Sequence, residues 1–439
     1  MKFLFQIFVI VFFTFSAFAQ NGFEFSSPES KVKIPFQLIN NLVIIPIQVN
    51  GVEMNFLLDT GVEETILFSL EDKSEVQFFN VEKIKLRGLG SKEAIEGLKS
   101  TENTLELTGL ISQHETIIIV LDEAINFSSI LGIPVNGIIG YAFFKANLVE
   151  INYQKKKITM HNRLDFNSKK FQKFTPFDIT IEKAKPYFKT QTTIDQTTIE
   201  TKLLIDTGNS DALWIFQDTL QRYKVPTKNF NDFLGKGFSG EIYGKRAKIN
   251  RFEMKEFEFK NPLVSFPDSS STKNVRMVLG RNGSIGGEIC RRFTMLFDYK
   301  NKKLYLKKNN RYNQTFTYNK SGIILQHNGL KLVQEVQDSK EKSSSTLKMD
   351  FGEGQHDLKY KFELKPVYAI MNIRKNSPAE VTGLKAGDTI LSINGIISYK
   401  FTLEEITNLL KADEEKNIEI EVEREGKNYT FHFKLTDIL

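Results

Sequence analysis

Short apolar runs separated by turn residues make up most of the chain between residues 30 and 310. The run from Val43 to Val49 is one example, and an Asn-Gly pair follows it at Asn50. Runs of this length and spacing are typical of β-strands joined by tight turns. Only short helices are expected in this region, near residues 142–145 and 288–292. The pattern therefore predicts a mainly β fold.

The pattern of strands and turns occurs twice. One strand ends in Asp-Thr-Gly at Asp59, and another ends in the same tripeptide at Asp206, 147 residues later. Glycine-bounded blocks follow the two acids at the same spacing, and their glycines are Gly88, Gly90, Gly97, Gly235, Gly237 and Gly244. Self-similarity of this kind indicates a duplicated unit. We expect two homologous lobes, at residues 30–165 and 175–312.

The duplicated Asp-Thr-Gly strand resembles the aspartic proteases, both the two-lobed pepsin-like enzymes and the bacterial retropepsin-like ones. The resemblance implies a bilobed acid-protease β-barrel fold in which Asp59 and Asp206 are catalytic and the glycine-bounded blocks are flaps over the substrate. It also implies that four neighbours support the catalytic loops, namely Thr60, Gly61, Thr207 and Gly208. A single Asp-Thr-Gly is usually only a turn, and ordinary hairpins without substrate contact are the alternative for the blocks.

Two carboxylates held close together are suited to hydrolysis by an activated water. They cannot both ionise, so they share one proton, and one acid can deprotonate water while the other polarises the scissile carbonyl. The sequence departs from the pepsin-like pattern at Val62 and Glu63, where hydroxyl residues are usual. Ser284 is a second departure, because it is polar in a supporting strand that is otherwise apolar.

The chain changes character after about residue 320. A polar, Ser-rich stretch near 337–356 is predicted to be a flexible insert in a third domain at 320–437. A resemblance to bacterial PDZ domains rests on an ordered series of motifs, Ser377-Pro378-Ala379, Gly383-Leu384, Ala386-Gly387-Asp388 and Ile393-Asn394-Gly395. It implies that a peptide adds as a strand in a groove formed by Val367, Tyr368, Ala369, Ile370, Leu403, Ile406 and Leu410. A PDZ domain used only as a lid or spacer is the alternative.

Residues 1–19 have the features of a secretory signal peptide: one Lys, an apolar run, and a small-x-small pattern before Gln20. A membrane anchor is the alternative, but the run is short for the roughly 20 residues that a span needs. We therefore expect cleavage after Ala19, export to the periplasm or the extracellular space, and no stable membrane span.

Composition and charge exclude several other functional classes. The net charge is +6, but the basic residues are scattered, which argues against nucleic-acid binding. The five histidines lack metal-ligand spacing, and Cys290 is the single cysteine, so an internal disulfide is impossible. We expect neither a metal nor a cofactor.

These features together predict an exported, monomeric aspartic endopeptidase. It would act on polypeptide substrates and use its PDZ domain to bind substrate or partner peptides, including C-terminal peptides. The alternative, from another functional class, is a catalytically silent scaffold that binds peptides of the cell envelope.

Overall fold

The computed structural model describes residues 22–70, 73, 75–86, 95–122, 125, 127–163, 168–217, 224–237, 240–272, 277–337, 359–412 and 415–439. Three sequence predictions fall wholly or mostly outside these residues. They are the signal peptide at 1–19, the flap glycines Gly88 and Gly90, and the insert near 337–356, most of which lies outside.

The first lobe is built from short strands with two small helices. Its strands are β1 (Glu24–Phe25), β2 (Lys31–Pro35), β3 (Gln37–Ile39), β4 (Leu42–Val49), β5 (Val52–Leu58), β6 (Thr65–Leu67), β7 (Glu82–Leu86), β8 (Ile95–Leu107), β9 (Leu110–Val120), β10 (Gly137–Ile139), β11 (Leu148–Asn152) and β12 (Lys157–His161). Its helices are α1 (Phe127–Leu131) and α2 (Tyr141–Phe144).

The second lobe repeats this plan, after a 3-10 turn at Ser168–Phe171. Its strands are β13 (Thr175–Asp178), β14 (Thr180–Glu182), β15 (Lys185–Ile194), β16 (Thr197–Ile205), β17 (Leu213–Ile215), β18 (Asn229–Gly237), β19 (Gly240–Lys248), β20 (Arg251–Met254), β21 (Phe257–Lys260), β22 (Leu263–Pro267), β23 (Arg281–Ile285), β24 (Phe293–Asp298) and β25 (Lys303–Lys308). Its helices are α3 (Ser269–Thr272) and α4 (Gly287–Cys290). Helices α2 and α4 lie at the two predicted helical segments.

The same strand arrangement leads to each acid. In the first lobe β10 lies between β5 and β6, parallel to β5 and antiparallel to β6, with Ile139 opposite Leu58. In the second lobe β23 lies in the same way between β16 and β17, with Ile285 opposite Ile205. The C-terminal ends of β5 and β16 are buried and apolar. The residue that follows each of these strands is therefore held in a fixed position.

One sheet joins the lobes. Its order is β13-β25-β24-β11-β12-β2, and each lobe contributes three strands on one side of the central β11–β24 pair. The pairing is antiparallel, with Ile151 opposite Met295. A single hydrophobic core extends across both lobes and includes Phe144 and Phe297, whose ring centroids are 5.1 Å apart. The lobes therefore share a core and a sheet, which fixes their relative position.

The C-terminal unit has its own sheet and core. Its strands are β26 (Ile323–Gln337), β27 (Lys359–Ile373), β28 (Thr389–Ile393), β29 (Ile396–Ile397), β30 (Asn417–Arg424) and β31 (Lys427–Lys434), and its helices are α5 (Pro378–Val381) and α6 (Leu403–Leu410), with a 3-10 turn at Ser398–Lys400. The main sheet order is β26-β27-β28-β30-β31. A reciprocal cap starts α6, in which the Thr402 and Glu405 side chains each bond to the other residue's backbone N–H.

The structure corrects the predicted peptide groove. Tyr368 and Ala369 pair with β26 on one side and with β28 on the other, so this part of β27 has no free edge for a peptide. The same strand carries the other two predicted strand residues, Val367 and Ile370. The apolar face of α6 is buried in the core of this unit, through Leu403, Ile406 and Leu410. The strand at this edge of the sheet is β26, which lies within the predicted third domain but was given no part in the predicted groove.

Within the residues that the structure describes, none of the helices combines the length and the apolar character needed to cross a bilayer.

Candidate active site

Asp59 and Asp206 follow directly after the buried strands β5 and β16. Their backbone N–H groups donate to the carbonyl oxygens of Ile139 and Ile285, each at 2.9 Å, so the neighbouring strand holds each acid in the same way. Both side chains are half-buried. Each acid is therefore fixed by backbone hydrogen bonds while its side chain keeps partial exposure.

Two threonines cross-link the acid-bearing loops. The backbone N–H of Thr60 donates to Thr207 Oγ1, and the N–H of Thr207 donates to Thr60 Oγ1, both at 3.1 Å. Each hydroxyl donates in turn to a carbonyl of the other lobe, Thr60 to Ile205 at 2.6 Å and Thr207 to Leu58 at 2.8 Å. Both threonines are only 1% exposed. Hydrogen bonds this deeply buried hold the two loops in one relative position.

The glycines after the threonines leave room for the carboxylates. A Cβ on Gly208 would lie 2.2 Å from Asp59 Cγ, and a Cβ on Gly61 would lie 3.0 Å from Asp59 Oδ1 and 3.1 Å from Asp206 Oδ1. The same point in space is thus close to an oxygen of each acid, which places the two carboxylates side by side. The N–H of Gly61 donates to Asp59 Oδ1 at 2.6 Å.

Burial and the neighbouring charge of Asp206 together raise the pKa of Asp59 to about 7. Its hydrogen bond from Gly61 acts in the opposite direction. An acid with such a pKa holds its proton below neutral pH, as one member of a close carboxylate pair must.

Asp206 has a more polar environment. Burial raises the pKa of Asp206, but the positive charges of Arg281 and Lys185 act to lower it. The Ser284 hydroxyl also bonds to Asp206 and accepts from Arg281 Nη2 at 2.8 Å. These groups stabilise the charged form of Asp206, and Lys185 acts on Asp59 in the same direction, so the two acids differ through Arg281 and the Ser284 hydroxyl.

Sequence reasoning missed this support of Asp206. It treated Ser284 as a departure from the pattern, whereas the side chain is 1% exposed and bonds to the acid. It gave no role to Arg281, which is 7% exposed, or to Lys185. The sequence did contain a signal of this support. Arg281 and Ser284 are polar residues at buried positions of β23, where a strand would normally have apolar side chains.

The unusual residues after the first glycine lie on the surface side of the loop. Glu63 is exposed, and Val62 is half-buried against apolar neighbours of the first lobe. The backbone of Val62 closes the turn, since its N–H donates to the Asp59 carbonyl at 3.3 Å and its carbonyl accepts from Tyr141 N–H at 3.1 Å. Water screens an exposed charge strongly, so Glu63 has little means of perturbing the acids.

The described parts of the two glycine-bounded blocks lie on paired strands. In the first lobe β7 pairs with β8, where Gly97 lies opposite Ile84. In the second lobe β18 carries Gly235 and Gly237 and pairs with β19, which carries Gly244. A Cβ on Gly244 would lie 2.3 Å from the Phe266 carbonyl oxygen, so a close strand contact requires glycine there. Both strand pairs are present, and their role as flaps stays a prediction.

The described part of the chain holds no group of three His, Cys, Asp or Glu side chains placed to bind a metal ion.

Comparison with known proteins identifies the C-terminal unit. The family model described as "PDZ domain" matches residues 370–424. No curated protein matches the chain. Among solved structures, the chain is similar to the aspartic proteinase from Irpex lacteus, at 15% identity and a TM-score of 0.41, over 65% of this chain and 99% of that one. The predicted fold class, mainly β with two homologous lobes and a C-terminal PDZ domain, is confirmed.

Thr207→Val tests the cross-link between the loops. Valine keeps the shape but removes the hydroxyl, leaving the Thr60 N–H and the Leu58 carbonyl without this buried partner. We expect a loss of about 1–3 kcal/mol in the free energy of unfolding. Thr207→Ser, which keeps the hydroxyl, is the matched control and should lose less than about 1 kcal/mol. Urea unfolding followed by fluorescence of the single tryptophan, Trp214, measures both.

Ser284→Ala tests the support of Asp206. The variant removes a hydrogen bond to the charged form, so the pKa of Asp206 rises. The acidic limb of any pH–rate profile that depends on ionised Asp206 should move to higher pH. Ser271→Ala, at another buried serine of the same lobe, is the control. A rate that falls equally at every pH, with the limb unmoved, would show that Ser284 has only a structural role.

Proposed function

We propose that the protein is an aspartic endopeptidase that hydrolyses peptide bonds with a water activated between Asp59 and Asp206. The observation that carries this proposal is the pair of side-by-side carboxylates, one from each lobe, joined by reciprocal threonine hydrogen bonds. Two carboxyl groups in these environments share a proton, and hydrolysis by an activated water requires such a pair.

The unequal environments assign the two chemical roles. Asp206, as the carboxylate, takes a proton from the water while the water oxygen attacks the carbonyl carbon of the substrate. Asp59 donates its proton to the carbonyl oxygen, so that a neutral tetrahedral diol forms. The proton now on Asp206 passes to the amide nitrogen as the C–N bond breaks, and a diol proton returns to Asp59. The products are a carboxylic acid and an amine.

The surrounding elements have supporting roles in this proposal. The hairpins β7–β8 and β18–β19 act as flaps that close over a polypeptide substrate, and one chain supplies both acids, so a monomer suffices. The PDZ domain binds peptides of the substrate or of a partner, as PDZ domains do. Residues 1–19 direct export, to the periplasm or beyond the cell.

Asp59→Asn and Asp206→Asn should each abolish cleavage of a denatured protein library, because neither variant can form a carboxylate pair with one shared proton. In the unsubstituted protein, activity should fall as pH rises through the pKa of Asp59, about 7, since the donor proton is then lost. Pepstatin should inhibit the activity. Cleavage by either purified variant at the unsubstituted rate would refute the two-acid mechanism, and absence of cleavage between about pH 4 and 7 would favour the peptide-binding scaffold.

Export makes a separate prediction. The mature protein, recovered from the periplasm or the medium, should begin at Gln20 when its N-terminus is sequenced. A protein that retains Met1 and stays with the membrane fraction would instead support an N-terminal anchor.

A further inference from the structure

The PDZ domain contacts both lobes. In the first lobe, helix α1 packs against β26, and a Cβ on Gly132 would lie 3.0 Å from Leu403 Cβ of α6. The Asn40 N–H also donates to Glu404 Oε1 at 3.4 Å. The edge strand and the helix of the PDZ domain therefore lie against the first lobe, which holds the domain in place beside the two lobes.

In the second lobe, the PDZ domain contacts both strands of the β18–β19 pair. The guanidinium of Arg374, the residue after β27, lies over the ring of Phe230 on β18, 4.2 Å from its centroid. On β19, the Tyr243 hydroxyl accepts a hydrogen bond from Asn372 Nδ2 of β27 at 3.3 Å. The side chains of one strand of the PDZ sheet and of the residue that follows it thus reach both strands of the pair.

The end of the strand pair that lies farthest from its turn has further contacts with the C-terminal unit. Lys248, the last residue of β19, lies 3.7 Å from a carboxylate oxygen of Asp437. The Tyr318 hydroxyl donates to Asp437 Oδ1 at 2.7 Å, and the rings of Tyr318 and Phe230 have centroids 5.3 Å apart. The base of the β18–β19 pair is therefore held by aromatic, ionic and hydrogen-bonding contacts together.

The position of Arg374 is set by the fold of the C-terminal unit. The residue is only 5% exposed. Its guanidinium donates to the carbonyl oxygens of Asn319 at 2.9 Å and Lys320 at 3.4 Å, and its backbone N–H donates to the Gly322 carbonyl at 2.8 Å. A cation that is both fixed and shielded from water interacts more strongly with an aromatic face than an exposed one does. The contact with Phe230 is therefore suited to hold β18.

The same strand pair is connected to the loop of the second acid. Arg246 of β19 bonds to Asp232 of β18 at 2.7 Å and to Asp211 at 2.8 Å. Asp211 lies five residues after Asp206 and accepts a hydrogen bond from Trp214 Nε1 at 2.8 Å. The β18–β19 pair therefore has contacts with the PDZ domain and with the segment that follows the catalytic loop.

We propose that the PDZ domain positions the β18–β19 pair for substrate binding, through Arg374 and its contact with Phe230. Under the proposed function this pair is a flap, and the inference rests on that function. A flap whose base is held in place populates its substrate-binding position more fully, so less binding free energy is lost in ordering it. Arg374 and Phe230 are positioning residues, because they act through the strand pair and not on the reacting atoms.

Hydrogen exchange of the full mature chain, followed by mass spectrometry, tests the contact. Phe230→Ala removes the ring from a half-buried position, and Arg374→Met removes the guanidinium. We expect amide exchange at residues 229–237 and 240–248 to be about tenfold faster in both variants, and exchange in β7 and β8 to be unchanged. Phe230→Tyr, which keeps the ring, and Lys375→Ala, at the exposed residue beside Arg374, are the controls and should match the unsubstituted protein.

Cleavage of denatured casein supplies the kinetic readout. In Phe230→Ala we expect KM to rise by about tenfold while kcat changes by less than about twofold, because the flap is less often in position but the acids keep their surroundings. For the same reason, both limbs of the pH–rate profile should stay where they are. Phe230→Tyr should restore the KM of the unsubstituted protein.

Unchanged exchange of β18 and β19 in Phe230→Ala would overturn the proposal, and this variant decides the matter even if Arg374→Met fails to fold. A rise in kcat/KM would also overturn it, because the contact would then restrain the flap and not position it. The exchange measurement requires no catalysis, so its failure is distinct from a failure to detect proteolysis by the unsubstituted protein.

Discussion

The reciprocal hydrogen bonds between Thr60 and Thr207 are the constraint on which the rest of the site depends. They connect two loops that are far apart in sequence, and they form only because each loop follows a buried strand whose end is fixed by its neighbour. The shared six-stranded sheet brings the lobes to the distance at which these bonds can form. Because both threonines are almost wholly buried, any shift of one lobe would leave polar groups unpaired, and the carboxylates would separate with it.

The two lobes have the same strand arrangement around the acids, but the charged and polar groups near the two acids differ. Both acids lie at equivalent positions, yet Asp206 has Ser284, Arg281 and Lys185 around it, and these favour its charged form. The fold thus brings the two carboxylates together, and side chains that only the second lobe carries favour the charged form of Asp206. A duplicated gene product can acquire distinct acid and base roles in this way, through substitutions in one copy of the supporting strand.

The sequence predicted much of this architecture because duplication is visible without structure. The Asp-Thr-Gly strands, the glycine blocks and the PDZ motifs each depend on local turn and strand chemistry. What could not be predicted depends on which strand pairs with which. The groove was assigned to Tyr368 and Ala369 because they lie on the strand just before the Ser377-Pro378-Ala379 motif, but β26, which precedes a long polar stretch, occupies that edge. The role of Ser284 was missed for a related reason, since it depends on Asp206, which follows a different strand.

The PDZ domain is in contact with the lobes, because its edge strand and helix line a cavity together with residues of both lobes. The central claim remains that the two lobes build one catalytic centre. The most direct test is a crystal structure with a statine-containing peptide. The account predicts that the statine hydroxyl lies within about 3 Å of a carboxylate oxygen of both Asp59 and Asp206. A bound inhibitor whose hydroxyl contacts one acid alone, with the other carboxylate turned away, would contradict it.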